Sequence, residues 1–421
     1  MPKILTIAVV WFALSLPASS SLAQSAHYFS TLKHVHVTGF QGWFACPSDS
    51  AGVGWGHWFR GKADPQKPDS LAIDNWPDTT ELDPDEKCPT GFKLRSGAPA
   101  YLFSDQNPKT VSRQFRWMKD YDIDGVALQR FGSILDGKSL QRQFDTVLSH
   151  VRAAAETYHR GFFIMYDGIT ADRIEAIKRD WQQLTEAAHL TESPAYIFHR
   201  GKPVVGLWGL GFPDRDLSAA QAADLINFFR TAKLPATVLG GVPTRWRLQG
   251  AGSRPEPEWA SVFRSFDILS PWTVGRFGND AGADDFAKNV LIPDLAEVKQ
   301  LGIDYMAVAF PGFSWHNGYG RTLNAPLDAI PRRCGGFYKH QIANLTKAGV
   351  DMLYTAMFDE ANEGTSILKM AVHPGALPDG VSMVPLDDGG CEAAKDDMYL
   401  RLAGEASRSL RDRRAPPAPP R

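Results

Sequence analysis

Three acids stand close together near the C-terminal end of the chain. The segment Tyr354-Thr-Ala-Met-Phe-Asp-Glu-Ala-Asn-Glu-Gly-Thr-Ser-Ile carries Asp359, Glu360 and Glu363, then Gly364 and Thr365. An apolar run leads straight into them, the pattern of a buried strand that ends in a polar turn. If the turn is helical, Glu360 and Glu363 at i and i+3 have Cβ atoms about 5–6 Å apart. Acids that close raise each other's pKa, so one can stay protonated while its neighbour acts as a base. Glycoside cleavage needs that division of labour: one group protonates the leaving oxygen, another activates an attacking oxygen. A bare E-x-x-E is otherwise a solvated acidic loop or a metal site. Its place after the last strand, facing aromatic side chains, favours catalysis.

The elements that must hold this pair follow from periodicity. Short apolar or β-branched runs at 34–38, 125–128, 161–165, 203–207, 236–239, 266–269, 305–310 and 352–357 read as strands. Between and after them, 110–121, 140–158, 171–187, 218–231, 257–265, 284–301, 336–348 and 398–410 carry apolar residues at three/four spacing, as helices do. Thr170 and Ser218 are the expected N-caps of two of these. Strict alternation predicts an α/β fold, a single (β/α)8 TIM barrel with long disulfide-pinned βα loops. A doubly wound open sheet is the alternative, but no G-x-G-x-x-G or G-x-x-x-x-G-K-[ST] occurs.

A barrel gathers its chemistry just after the strands. There the chain has Gln41-Gly42-Trp43 and then His57-Trp58, Gln129-Arg130-Phe131, Tyr166-Asp167, Trp208, Thr244-Arg245-Trp246, Trp272 with Arg276, Trp315-His316-Asn317, and the acids. Trp recurs at this end of about five or six strands, whereas core residues should occur at both ends. Glu360 and Glu363 are therefore the expected catalytic residues. The expected substrate contacts are His57, Trp58, Arg130, Asp167, Trp208, Trp246, Trp272, Arg276, Trp315 and His316. Trp272 and Trp315 suit stacking on sugar faces. Asp167 is either a hydroxyl ligand or a turn cap, Arg130 and Arg276 either substrate ligands or structural ion-pair members. His57 and Trp58 divide between substrate contact and loop packing, and His316 could equally be a solvated loop residue.

Composition bounds the rest. The 421 residues hold 45 Lys+Arg against 47 Asp+Glu, leaving no basic excess for nucleic acid. With 43% apolar and 22% charged residues the chain has the composition of a globular protein. The aromatic complement is 12 Trp, 11 Tyr and 24 Phe, and flat rings suit a carbohydrate partner as well as a large core. Lys3, the apolar run 4–16 and Ser21-Leu22-Ala23 read as a secretory signal over 1–23, too short to anchor in a membrane. The expected product is a secreted or periplasmic barrel over 24–411, with a disordered tail at 412–421 and no stable membrane insertion. In an oxidising compartment Cys46, Cys88, Cys334 and Cys391 allow three pairings, the simplest joining each to its nearer neighbour. No C-x-x-C, H-E-x-x-H, G-x-S-x-G or EF-hand spacing is present, so no metal or other cofactor is expected.

Phe358-Asp-Glu-Ala-Asn-Glu-Gly-Thr resembles the strand-eight signature of glycoside hydrolase family 99, the endo-α-mannosidases and endo-α-1,2-mannanases. It is also similar to the wider family 71/99-like exported proteins, some labelled xylosidase/arabinosidase. The family pattern is Asn-Glu-Trp-His-Glu-Gly-Thr. The resemblance implies that Glu360 is the general base and Glu363 the general acid/base. It further implies an attack by the sugar's own 2-hydroxyl, a 1,2-anhydro sugar, net retention and no metal. Asp124-Gly-Val-Ala-Leu-Gln resembles the family's second strand, and Arg200-Gly-Lys-Pro-Val-Val its approach to the fourth. Asp359, Ala361 and Asn362 depart from the family's Asn, Trp and His, and Gly39-Phe-Gln-Gly-Trp-Phe departs from its Tyr-Tyr-Pro-Trp-Tyr. Such changes touch the substrate floor, and they motivate a second reading: a glycan-binding barrel whose catalytic site has decayed.

Overall fold

A computed structural model describes residues 27–50, 52–60, 67–387, 389–391 and 394–412. The signal segment at 1–23 lies outside the described residues, as does the tail beyond Asp412. Eight parallel strands form the barrel: β1 (Val35–Phe40), β2 (Gly125–Phe131), β3 (Gly161–Asp167), β4 (Lys202–Trp208), β5 (Thr237–Pro243), β6 (Ile268–Trp272), β7 (Ala307–Ala309) and β8 (Met352–Thr355). β1 is buried along its whole length, as a strand covered on both faces must be. Each strand pairs with the next from β1 to β6, and β8 lies between β1 and β7. The ring closes through a split seventh strand. Asp304–Tyr305 pairs with β6, Met306 interrupts, and β7 proper pairs with β8.

The outer helices fall where the periodicity put them, with ends set by capping. Ser218 forms a full capping box with Gln221 ahead of Ala219–Thr231. Thr170 does not cap: its hydroxyl donates to the Asp172 carboxylate at 2.5 Å, so the backbone there starts as a 3-10 turn, Ala171–Arg173. The stretch near 284 begins earlier than its apolar period suggests, because Asn279 accepts from the Gly282 amide and starts a helix at Asp280.

Two long excursions rise from the strand ends that build the mouth. The first runs from β1 to the helix Pro108–Asp120 and includes an antiparallel hairpin, Cys88–Lys93 with Pro99–Leu102. Cys46–Cys88 closes 42 residues of it, with Cα atoms 6.4 Å apart. The second runs from β8 to the helix Met398–Arg411 and is tied back by Cys334–Cys391, 57 residues apart. Both bridges join the nearer neighbours. Closing loops of this length is worth roughly 3–4 kcal/mol in the chain-entropy model.

Candidate active site

The end of β8 is held to the end of β1 by an acid. Phe358 donates its amide to the Gly39 carbonyl at 2.8 Å, the last backbone bond between the two segments. Beyond it the Asp359 carboxylate takes over, accepting the Gln41 amide at 2.9 Å and the Gly42 amide at 2.9 Å. Two donors from one turn suit a carboxylate, which only accepts. An asparagine would have to turn its own NH2 away from one of them. Asp359 is fully buried, and burial pushes it up to about 6 against those hydrogen bonds, which pull it down. Glu360, next in sequence, receives the side-chain amide of Gln41 on Oε2.

Glu363 is brought to the same place by a tight turn rather than a helix. Thr365 N donates to the Glu360 carbonyl at 3.1 Å, and Ser314 N to the Glu363 carbonyl at 2.9 Å. Gly364 makes the turn possible. Its φ is +61°, and a Cβ there would lie 2.9 Å from the Ser314 amide nitrogen. Gly364→Ala is therefore expected to destabilise the protein by about 1–3 kcal/mol, read as a lowered denaturant midpoint. An unchanged midpoint would show that the turn tolerates an ordinary residue.

Burial and crowding of like charge set the protonation of this group. Burial, then the charges of Glu363 and Asp359, hold Glu360 well above the usual carboxylate range, opposed by the Gln41 amide. Burial, then Asp167, pushes Glu363 up to about 7. Asp167 itself rises to about 6 through burial, opposed by Arg215 at 3.8 Å. Three acids this close resist ionising together, so protons are held here at a higher pH than on ordinary carboxylates. That is the condition for one of them to serve as an acid.

Glu360 and Glu363 open onto a cavity of about 570 Å³. Trp43, Trp55, His57, Phe59, Phe144 and Trp315 give it aromatic walls, and Arg60, Gln143 and Asn362 add polar groups. Trp43 stacks flat on His57, ring centroids 3.9 Å apart, with Phe131 at 5.5 Å, so its edge rather than its face is available. Its Nε1 is buried without a hydrogen-bond partner. His57 is exposed to the cavity, and the protein that surrounds the rest of its ring pushes it down to about 4. The two residues between the glutamates have packing roles. Ala361 is buried, and its carbonyl accepts the Asp74 amide. Asn362 Nδ2 donates to the carbonyls of His57 at 2.8 Å and Ala72 at 2.9 Å, tying the β1 excursion to the acid turn.

Of the substrate contacts expected from sequence, His57 and Trp315 line this cavity, and Asp167 reaches the acids electrostatically. Trp208 and Trp272 meet edge to face at the ends of β4 and β6, at the mouth but off the cavity wall. Arg276 is exposed beside Gly252, with no side-chain partner among the described residues. Four expectations are corrected. Trp58 is fully buried, stacked on Phe44 and bonded through Nε1 to the Phe103 carbonyl. Trp246 is fully buried on Asp294. Arg130 points outward into a bidentate pair with Asp180 at 2.6 Å. His316 braces its own loop through Asp74 and the Ala325 carbonyl. Strand alternation explains Arg130, whose neighbour Gln129 faces the barrel interior, while the other three lie in loops whose packing only the folded chain decides. Gln41, Trp43, Trp55 and Asn362 were legible only as mouth positions. Among the described residues no cluster of three or more His, Cys, Asp or Glu is arranged to hold a metal ion.

The architecture is that of a (β/α)8 barrel with an acid pair at its C-terminal mouth. The solved structures most like it include an endo-α-mannosidase of glycoside hydrolase family 99 from Bacteroides thetaiotaomicron, at TM-score 0.65 and 14% identity over 92% of this chain and 100% of that one. The same enzyme bound to bis-tris propane gives 0.63 and 15%, covering 91% and 99%. A glycoside hydrolase-like protein gives 0.52 and 14%, covering 83% of this chain and 98% of that one. At these identities the likeness is one of fold. No family model matches the sequence, and no curated protein is significantly similar to it.

Proposed function

We propose that this protein is a glycoside hydrolase acting on an α-linked glycan of the α-mannoside type, with Glu363 as acid/base and Glu360 as base. The observation that carries the reading is the acid pair opening into a large aromatic-walled cavity at the catalytic end of the barrel. Glu363 gives its proton to the leaving oxygen. Glu360 takes the proton of the sugar's 2-hydroxyl, and that oxygen attacks the anomeric carbon to close a 1,2-anhydro ring. Water, deprotonated by Glu363, then opens the ring with net retention, and the proton on Glu360 returns to the 2-oxygen. Export to the periplasm or beyond is part of the proposal and is supported by two disulfides, which persist in oxidising compartments.

A panel of α-linked glycans, assayed for released reducing ends and product linkage, tests the reading. Binding without cleavage across the panel would instead select the decayed-site alternative. That alternative rested on Ala361 and Asn362, and their packing roles weaken it. The rate should also depend on pH in a defined way. Loss of the Glu363 proton should bring kcat/KM down as pH rises through about 7. On the acidic side kcat/KM should fall as Glu360 gains its proton, at a pH well above that of an ordinary glutamate. A profile flat from pH 5 to pH 9 would refute both assignments.

A further inference from the structure

The two glutamates share a cavity, but only one has a donor aimed at it. Gln41 presents its Nε2 to Glu360 Oε2, while the Glu363 carboxylate makes no hydrogen bond among the described residues. Gln41 is not free to wander. Its backbone amide is held by both oxygens of Asp359, at 2.9 and 3.1 Å, and its side chain is 6% exposed. Asp359 and Glu360 are consecutive, so the end of β8 grips Gln41 twice, once by the main chain and once by the amide. Its Oε1 is buried without a hydrogen-bond partner.

We infer that Gln41 is a positioning residue: its clamped amide favours the carboxylate form of Glu360 against the acids around it and so prepares that side chain to act as the base. The inference rests on the catalytic reading above and deepens it. An NH2 donor stabilises the carboxylate form of its acceptor more than the carboxylic acid, because the bond to the charged oxygen is the stronger one. The other charged or titratable groups around Glu360 do not supply this bias. Glu363, Asp359 and Asp167 all repel its charge, and Tyr354 below is held neutral by burial. His57 across the cavity is neutral, and Arg60 gives one NH2 to the Asp69 carbonyl. Gln41 is the directional donor that separates two otherwise similar acids.

Gln41→Met keeps the length and removes the donor. The acidic limb of kcat/KM should move up by about one pH unit, with kcat lowered and KM nearly constant. Should that variant fail to fold, Gln41→Glu takes its place. The expected shift has the same sign, because a carboxylate beside Glu360 holds the proton there more tightly. An acidic limb that superimposes on the parent's overturns the inference, even if the rate falls. Glu360→Gln, run in parallel, separates the two levels. If it is inactive and the Gln41→Met limb is unmoved, only the positioning role fails; if it is fully active, the catalytic reading fails with it.

Discussion

Glu363→Gln should lower the rate of glycan cleavage by about 10²–10⁴-fold, the usual worth of a general acid/base, and leave the barrel folded. The amide keeps the shape of the carboxylate and cannot give a proton to the leaving oxygen. Its effect on stability should run the other way. Glu363 is pushed up to about 7 by burial and by Asp167, so the folded state holds its proton more tightly than the unfolded chain. Stability is then lost as pH rises from the ordinary glutamate range to about 7, and stays lost above it. The glutamine carries no such penalty. At pH 8 the variant should therefore unfold at a higher urea concentration than the parent, and at pH 4 the two should nearly coincide. A dead variant that is also less stable at pH 8 would point to a structural role. A variant with near-parental turnover would remove Glu363 from the mechanism. Glu360→Gln should cost a similar factor in rate, since an amide cannot take the 2-hydroxyl proton.

Asp180→Ala should destabilise the protein by about 3–5 kcal/mol without changing KM for any glycan. Arg130 and Asp180 are each 3% exposed and meet through two bonds of 2.6 Å. Tyr166 donates its hydroxyl to the same carboxylate at 2.7 Å, and Asp145 takes one more guanidinium bond at 2.9 Å. Removing Asp180 leaves a buried guanidinium with only the half-exposed Asp145, and strands the tyrosine hydroxyl. The residues lie on the outer side of the barrel wall, against the helices that follow β2 and β3, so the cavity should be untouched. Denaturant unfolding measures the first claim and steady-state kinetics the second. A large KM effect with little loss of stability would restore Arg130 as a substrate ligand. In the double variant Asp180→Leu with Arg130→Met, much of the loss should be recovered, because no lone charge remains.

These two cases show where the amino-acid pattern is informative. The barrel was legible because its signal is repeated: eight buried strands and the amphipathic helices between them leave a period that local chemistry alone produces. Ser218 capped as expected because a capping box is complete within four residues. Thr170 did not, because an adjacent side chain, Asp172, competed for its hydroxyl. The disulfides are those of the simplest of three pairings the sequence allowed, each cysteine with its nearer neighbour.

The acid pair was legible for a similar reason. Three carboxylates, a glycine and a threonine after a buried strand are local facts, and Gly364 takes a left-handed backbone angle that favours glycine. Long-range facts were hidden. That Asp359 holds β1, that Gln41 touches Glu360, and that Asn362 ties the wall of the cavity all join segments about 300 residues apart. Whether Trp58 or Trp55 faced the cavity depended on how a pinned excursion folds back on itself. By itself, then, the sequence determined the barrel and the place of its acids, because periodicity and the motif after the last strand are local features. Only the tertiary structure decided which rings line the cavity, which arginine is structural and which glutamate receives a donor, because burial and charge depend on neighbours the chain brings together only by folding.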